Sequence, residues 1–228
     1  MHLTMPVLNH ATRYFPILSE LRTHLPPSGS VLEIGSGAVG IGEFWPHPFV
    51  GCDLAFASSP RPPLLPVICS ADALPFADQH FDALVASDVF EHIPPAQRDA
   101  VVAEIFRVTR TVAVIGYPCG PDAWVLDRDL YSYYQRRKLQ PPQWLQEHMA
   151  NPFPDFSLLR DVPKGWRKKV VPNENLRFHY WMMRAETYRV WSHSFRLALS
   201  VAPGLARRLL RYANVAPHYR QIFVFTRA

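Results

Sequence analysis

Cysteine is scarce in this 228-residue sequence: Cys52, Cys69 and Cys119 are odd in number and widely spaced. That excludes a disulfide framework and a CxxC zinc site, and no metal ligand set is read from the sequence. No apolar run approaches the roughly 18 residues that a membrane-spanning helix needs. The opening residues, MHLTMPVLNHATRYFP, lack a basic start followed by an apolar stretch, so no export signal is expected. Reduced thiols without such a signal point to the cytoplasm. Internal repeats and low-complexity tracts are missing as well.

What is present is apolar, proline-rich and electrically lopsided. Hydrophobic residues make up 48% of the chain, enough for one α/β domain with a sizeable core. The 23 prolines mark loops, as at Pro60, Pro62, Pro63 and Pro66 and again at Pro141, Pro142, Pro152 and Pro154. Residues 1–120 carry 6 Lys/Arg against 11 Asp/Glu, whereas residues 121–228 carry 18 against 8. The basic half either faces an anion or packs beside the acidic half. Nucleic acid is the weaker partner reading. The basic clusters Arg136, Arg137, Lys138 and Lys164, Arg167, Lys168, Lys169 come with no RNA-binding module and no Asn/Asp-Pro-Pro-Tyr motif.

Hydrophobic periodicity predicts a helix over 12–24, with Ile17, Leu18 and Leu21 on its buried side. Short unbroken apolar runs then predict strands at 30–34, 49–54, 67–69, 81–86 and 111–116, with a helix over 95–109 before the last. Such runs separated by crossovers argue for a parallel sheet covered on both faces. Further on, helices are expected over 127–138, 142–149, 155–161, 184–201 and 203–213, with strands at 167–171 and 221–226. The segment PGLARRLLRY at 203–212 sets leucines on one side and three arginines on the other. It suits either an anionic membrane surface or, more commonly, an ordinary surface helix with its arginines in water.

The stretch VLEIGSGAVGIG at 31–42 carries most of the chemistry. Formally it holds GxGxxG after a strand, with Asp53 placed 18 residues after Gly35, so a dinucleotide oxidoreductase shares the skeleton. Glu33, at the carboxyl end of the strand, argues the other way. At the mouth of the loop its carboxylate repels a pyrophosphate and attracts the amine and sulfonium of S-adenosylmethionine, unless it serves as a capping acid. Asp53 is placed to accept from a ribose diol. Asp72 is placed to accept an adenine amine between Leu74 and Phe76, or else forms a loop Asx turn.

Five motifs stand in order: VLEIGSG at 31–37, GCDLA at 51–55, ADALPF at 71–76, FDALVASDVFEHIPP at 81–95 and RVTRTVAVIGYP at 107–118. Through them the chain resembles the class I S-adenosylmethionine-dependent methyltransferases of the small-molecule type 11 group. The resemblance implies a Rossmann-like, doubly wound α/β sheet of seven strands, in the order 3-2-1-4-5-7-6 with the last antiparallel. It implies one domain over 1–228: a cofactor core at 28–118, a helical cover for the acceptor at 119–220, and a last strand at 221–227. Glu33, Gly35, Ser36 and Gly37 would line the methionine moiety and Asp53 and Leu54 the ribose. Asp72 and Ala73 would line the adenine, and Ser87 and Asp88 would border the sulfonium.

Methyl transfer from a sulfonium is an in-line displacement, so alignment and, for some acceptors, proton removal are what a protein supplies. His92 is the candidate base, because imidazole titrates near neutrality, with a structural role as the alternative. Tyr117 is the candidate lining of the acceptor side. The implied acceptor is a small or lipid-linked molecule. A protein that binds the cofactor without turnover remains a third reading beside the methyltransferase and the oxidoreductase.

Overall fold

The computed structural model describes residues 7–26, 28–185, 187–201, 204, 208, 210 and 212–228. Seven strands form one sheet: β1 (Val31–Ile34), β2 (Phe49–Asp53), β3 (Leu64–Ile68), β4 (Phe81–Ser87), β5 (Thr109–Pro118), β6 (Trp166–Asn175) and β7 (His218–Arg227). Their order is β3-β2-β1-β4-β5-β7-β6, as the resemblance implies. Strands β1 to β5 are parallel, and β7 runs antiparallel to both β5 and β6. The carboxyl ends of β1 to β5 therefore share one edge.

Alternation along the strands divides the core in two. Leu32, Ile34, Leu84, Ala86, Ala113 and Ile115 face helix α2 (Pro95–Val108), which contributes Val101, Ile105 and Val108. Val31, Ala83, Val85, Val112 and Val114 face helix α1 (Val7–His24), which contributes Tyr14, Ile17, Leu18 and Leu21. Each of the valines, leucines and isoleucines, fully buried, contributes about 1.5–3 kcal/mol, so the two layers hold the parallel strands without hairpins.

Helix α1 contains Pro16, which has no N–H and leaves the carbonyl of Thr12 without its helical partner. Asn173, near the end of β6, donates its side-chain N–H to that carbonyl at 3.3 Å. The irregularity thus ties the first helix to the edge strand.

The second half departs from the sequence reading in several places. Residues 155–161, expected as a helix, form turns; the helix expected over 184–201 starts at Arg189 as α6 (Arg189–Val201), and α5 (Leu176–Ala185) precedes it where no helix is expected. Helices α3 (Pro121–Arg136) and α4 (Gln143–Ala150) pack with α5 around Leu130, Tyr133, Leu145, Met182 and Met183. The stretch 119–220 is therefore not only helical, since it contains edge strand β6, and β7 begins at His218. The basic segment 203–212 lies mostly outside the described residues. Among those described, no helix is long and apolar enough to cross a membrane.

Candidate active site

The parallel pairing β3-β2-β1-β4 brings the ends of four strands side by side. Gly35, Ser36 and Gly37 follow β1, Asp53 and Leu54 lie at the end of β2, Asp72 and Ala73 follow β3, and Ser87 and Asp88 end β4. Every predicted cofactor residue but Glu33 thus lies along one rim. Leu54 and Ala73 are exposed, and Gly37, Asp53 and Asp72 are half-buried.

The glycine loop is bound down onto β2. The amides of Gly35 and Ser36 both donate to the carbonyl of Cys52, at 2.8 and 3.3 Å. The amide of Gly37 donates to Oδ2 of Asp53 at 3.0 Å, and Oδ1 of Asp53 accepts from the amide of Leu54. Gly37 has φ +53 and nothing within 4 Å of where a Cβ would stand, so its outer face is open. The chain then enters a four-residue 3-10 turn, Gly40–Glu43, and not an α-helix.

Glu33 departs from expectation. Its carboxylate is fully buried beneath the loop, accepting from the amide of Ile41 at 2.7 Å and the hydroxyl of Tyr14 at 2.8 Å. An open acid at the mouth is therefore corrected to a capping acid that closes the loop from below. Two orphan donors and a β1 position facing α1 draw it inward. Burial pushes its pKa up to about 7, against the two hydrogen bonds, which pull the other way. Gly40, with φ +51, gives it room: a Cβ there would collide with Oε2 of Glu33. Gly40→Ala should therefore cost at least ~1–2 kcal/mol, from the left-handed backbone alone, in a urea titration.

Asp88 is the hub of a charge network. Arg220, on β7, grips it with two bonds of 2.6 Å, from Nε to Oδ1 and from Nη2 to Oδ2. The third nitrogen of Arg220 donates to Oε2 of Glu174 at 2.8 Å and to Oδ1 of Asn173 at 3.1 Å. Arg13 lies 3.5 Å from Asp88 and stacks over Tyr14 at 4.6 Å. Burial opposes ionisation of Asp88, but Arg220 and Arg13 outweigh it and hold the carboxyl down at about 2. Ser87, beside it, is buried with its hydroxyl unpartnered.

The loop after β3 is pinned from α2. Arg107 donates to the carbonyls of Leu74 and Phe76 at 3.0 and 2.7 Å, and Glu104 accepts from the amide of Leu74 at 2.7 Å. Sequence reasoning misses these two, as it misses Tyr14, Arg13, Glu174 and Arg220. Only Arg220 leaves a trace, as a charge entering an apolar strand.

The two candidate catalytic residues separate. Tyr117 is corrected to a core residue: it is fully buried, stacked on Phe223, and its hydroxyl donates to the carbonyl of Asp155 at 3.1 Å. Burial raises its pKa, which rules against phenolate chemistry there. His92 retains partial exposure, 28% of its side chain, with Nδ1 2.7 Å from Oε2 of Glu147. Burial, reinforced by neighbouring His148, lowers its pKa and favours the neutral ring.

A cavity of about 500 Å³ lies elsewhere, between α1, β6 and the side of Leu210, Ala213 and Asn214, lined also by Thr12, Glu20, Asn173, Glu174 and Phe178. None of its lining comes from the ends of β1 to β4.

Residues 32–115 match the model of the methyltransferase domain family. No curated protein matches the chain. Among solved structures, phosphoethanolamine N-methyltransferase 2 of Haemonchus contortus, bound to phosphomonomethylethanolamine and S-adenosylhomocysteine, aligns at 15% identity and TM-score 0.50. The alignment covers 92% of this chain but only 52% of that one, so this chain spans about half its length. A proposed sarcosine dimethylglycine methyltransferase of Galdieria sulphuraria aligns at 18% identity and TM-score 0.55, over 92% and 83% of the two chains. The PH0226 protein of Pyrococcus horikoshii aligns at 14% and 0.53, over 99% and 93%. At such identities these likenesses establish the fold. Residues 32–115 thus match a methyltransferase domain, and they lie on a seven-stranded sheet in the order that the resemblance implies.

Proposed function

We propose that the chain binds S-adenosylmethionine across the rim of β1 to β4 and transfers its methyl group to the oxygen, nitrogen or carbon of a small or lipid-linked acceptor. One observation carries this choice over a dinucleotide. The amides of Gly35, Ser36 and Gly37 are already spent on Cys52 and Asp53, and no α-helix begins behind them. A pyrophosphate needs free amides at a helix N-terminus, whereas a sulfonium nucleoside does not. These amides, and not an exposed Glu33, discriminate between the two ligands.

The rim suits the group in other respects. The open face over Gly37 admits a close-lying ligand, and the orphan hydroxyl of Ser87 is a buried polar atom in want of a partner. When bound, the cofactor supplies a methyl group already activated on sulfur. In this reading Asp53 accepts from the ribose with the lone pairs left over from Gly37 and Leu54. Asp72 holds the adenine, in a loop that Arg107 keeps still. Ser87 and Asp88 border the reacting centre, where pairing with Arg220 prevents Asp88 from acting as a free anion. Neutral His92 offers a lone pair toward the acceptor side, beneath the cover built from 119–220.

Calorimetry against S-adenosylmethionine, S-adenosylhomocysteine and NAD tests the binding half: the first two should bind and NAD should not. Labelled donor incubated with cell extract tests turnover and captures the acceptor. Loss of binding to both sulfur nucleosides would overturn the proposal. Asp53→Ala should weaken S-adenosylmethionine by about 10–100-fold in the same calorimetry, the range for a hydrogen bond to a charged group.

A further inference from the structure

Beside the end of β4, three side chains of ligand type converge. Glu91, His92 and His148 each present a ligand atom, all within 4.8 Å of one another. Glu91 is fully buried, and neither of its oxygens finds a donor in another residue. Nε2 of His148 is likewise buried and unpartnered, 3.8 Å from Oε1 of Glu91. That gap is too long for a hydrogen bond. It is shorter than the ~4.2 Å by which two ligands of one ion, each about 2.0–2.2 Å from it, can be separated.

The surroundings are those of a ligand set rather than of packed core histidines. Nδ1 of His148 lies 2.6 Å from Oδ2 of Asp127, which also accepts the hydroxyl of Tyr219 at 2.8 Å. A carboxylate on one ring nitrogen places the proton there and leaves Nε2 with a lone pair pointed at Glu91. Glu147 meets His92 in a similar way, and the partial exposure of His92 gives an ion a path in. Both buried groups, the carboxylate of Glu91 and Nε2 of His148, lack a protein partner, which native interiors rarely tolerate.

We infer that Glu91, His92 and His148 bind one divalent first-row transition ion, in a two-histidine, one-carboxylate set with coordination positions left for an oxygen ligand. Imidazole donors favour zinc, cobalt, iron or nickel over magnesium and calcium. Asp127 is the positioning residue that fixes His148. The sequence alone predicts no metal and casts His92 as a base; with an ion bound, the same ring would serve as a ligand. The site does not require methyl transfer, although an ion beside Asp88 would place a Lewis acid on the acceptor side of the proposed reaction.

The test is titration of the metal-free full chain with Co²⁺, followed by visible absorption, and displacement by Zn²⁺. One equivalent of Co²⁺ should bind with ligand-field bands that Zn²⁺ abolishes. Asp127→Asn should weaken binding about 10–100-fold, as loss of such outer partners does elsewhere. His92→Ala, partly exposed and so the safer variant to fold, should weaken it at least tenfold and change the spectrum. Absence of stoichiometric binding would overturn the site, and so would wild-type affinity in both variants, which would mark an adventitious ion elsewhere. S-adenosylmethionine calorimetry on the same samples separates the two proposals. Cofactor binding without metal sinks only this one, and metal binding without cofactor sinks only the other.

Discussion

Arg220→Met should cost roughly 3–5 kcal/mol of folding stability, the largest single effect expected outside the hydrophobic core. The guanidinium is 1% exposed and engages two buried carboxylates, Asp88 and Glu174, with Asn173 as a further acceptor. Removing it leaves both acids in a low-dielectric setting, with Arg13, 3.5 Å from Asp88, and His179, 3.2 Å from Glu174, among their remaining ionisable neighbours. Methionine matches the stem in length, so the loss reports charge and hydrogen bonding more than volume. Urea denaturation of the single variant and of the triple variant Arg220→Met, Asp88→Asn, Glu174→Gln makes the measurement. The triple should recover a large part of the loss, because neutral amides tolerate burial better than unpaired carboxylates. Equal stability of Arg220→Met and wild type would show that the network contributes nothing net.

The second large effect is a pH dependence. A carboxyl with a folded pKa near 7, against an ordinary value of 4.5, binds its proton more tightly in the native state. Its contribution to stability is therefore fully present below about pH 4.5 and is lost as pH rises through 7. The difference corresponds to roughly 3 kcal/mol. Asp88 works in the opposite sense, with a folded pKa of about 2, and loses its contribution only as pH falls from about 4. Glu33→Gln isolates the first effect, since its amide oxygen can still accept from Ile41 and its nitrogen can meet Tyr14. Measured from pH 4.5 to 8, the variant should gain about 3 kcal/mol on wild type. Residues such as His10 and His92 titrate in both proteins and cancel in the difference. A flat difference across that range would mean that Glu33 is ionised throughout.

The first half of the molecule is legible because its signals are local. Unbroken runs such as Val31–Ile34 and Phe81–Ser87 can only be buried strands between two layers, and the glycines announce the turn that follows β1. Glu33 shows the limit of that reading. Its position at the end of β1 is plain, but whether its carboxylate turns outward or under the loop depends on Tyr14, supplied by a helix with no motif. The second half is harder for a related reason. Strand β6 reads WRKKVVPNEN, an exposed edge whose lysines and proline hide the alternation, and only its middle stands out in the sequence. Helix α5, LRFHYWMMRA, buries Leu176, His179, Met182 and Met183 at helical spacing, but the histidine within that stripe and the exposed Trp181 outside it mask the pattern. Asp88, Glu174 and Arg220 find each other over separations of 132 and 46 residues, which no spacing rule records.

The placement of that arginine also bears on how the protein is made. Five parallel strands and both covering helices of the core precede β7 in chain order, so a growing polypeptide can assemble them while Asp88 and Glu174 still lack their shared counterion. Because β7 lies between β5 and β6 and carries Arg220, its addition would complete the sheet and supply the positive charge together. Ribosome-bound chains halted before residue 218 would be held in a state whose acids stay wet, a form that chaperones can grip and proteases can reach.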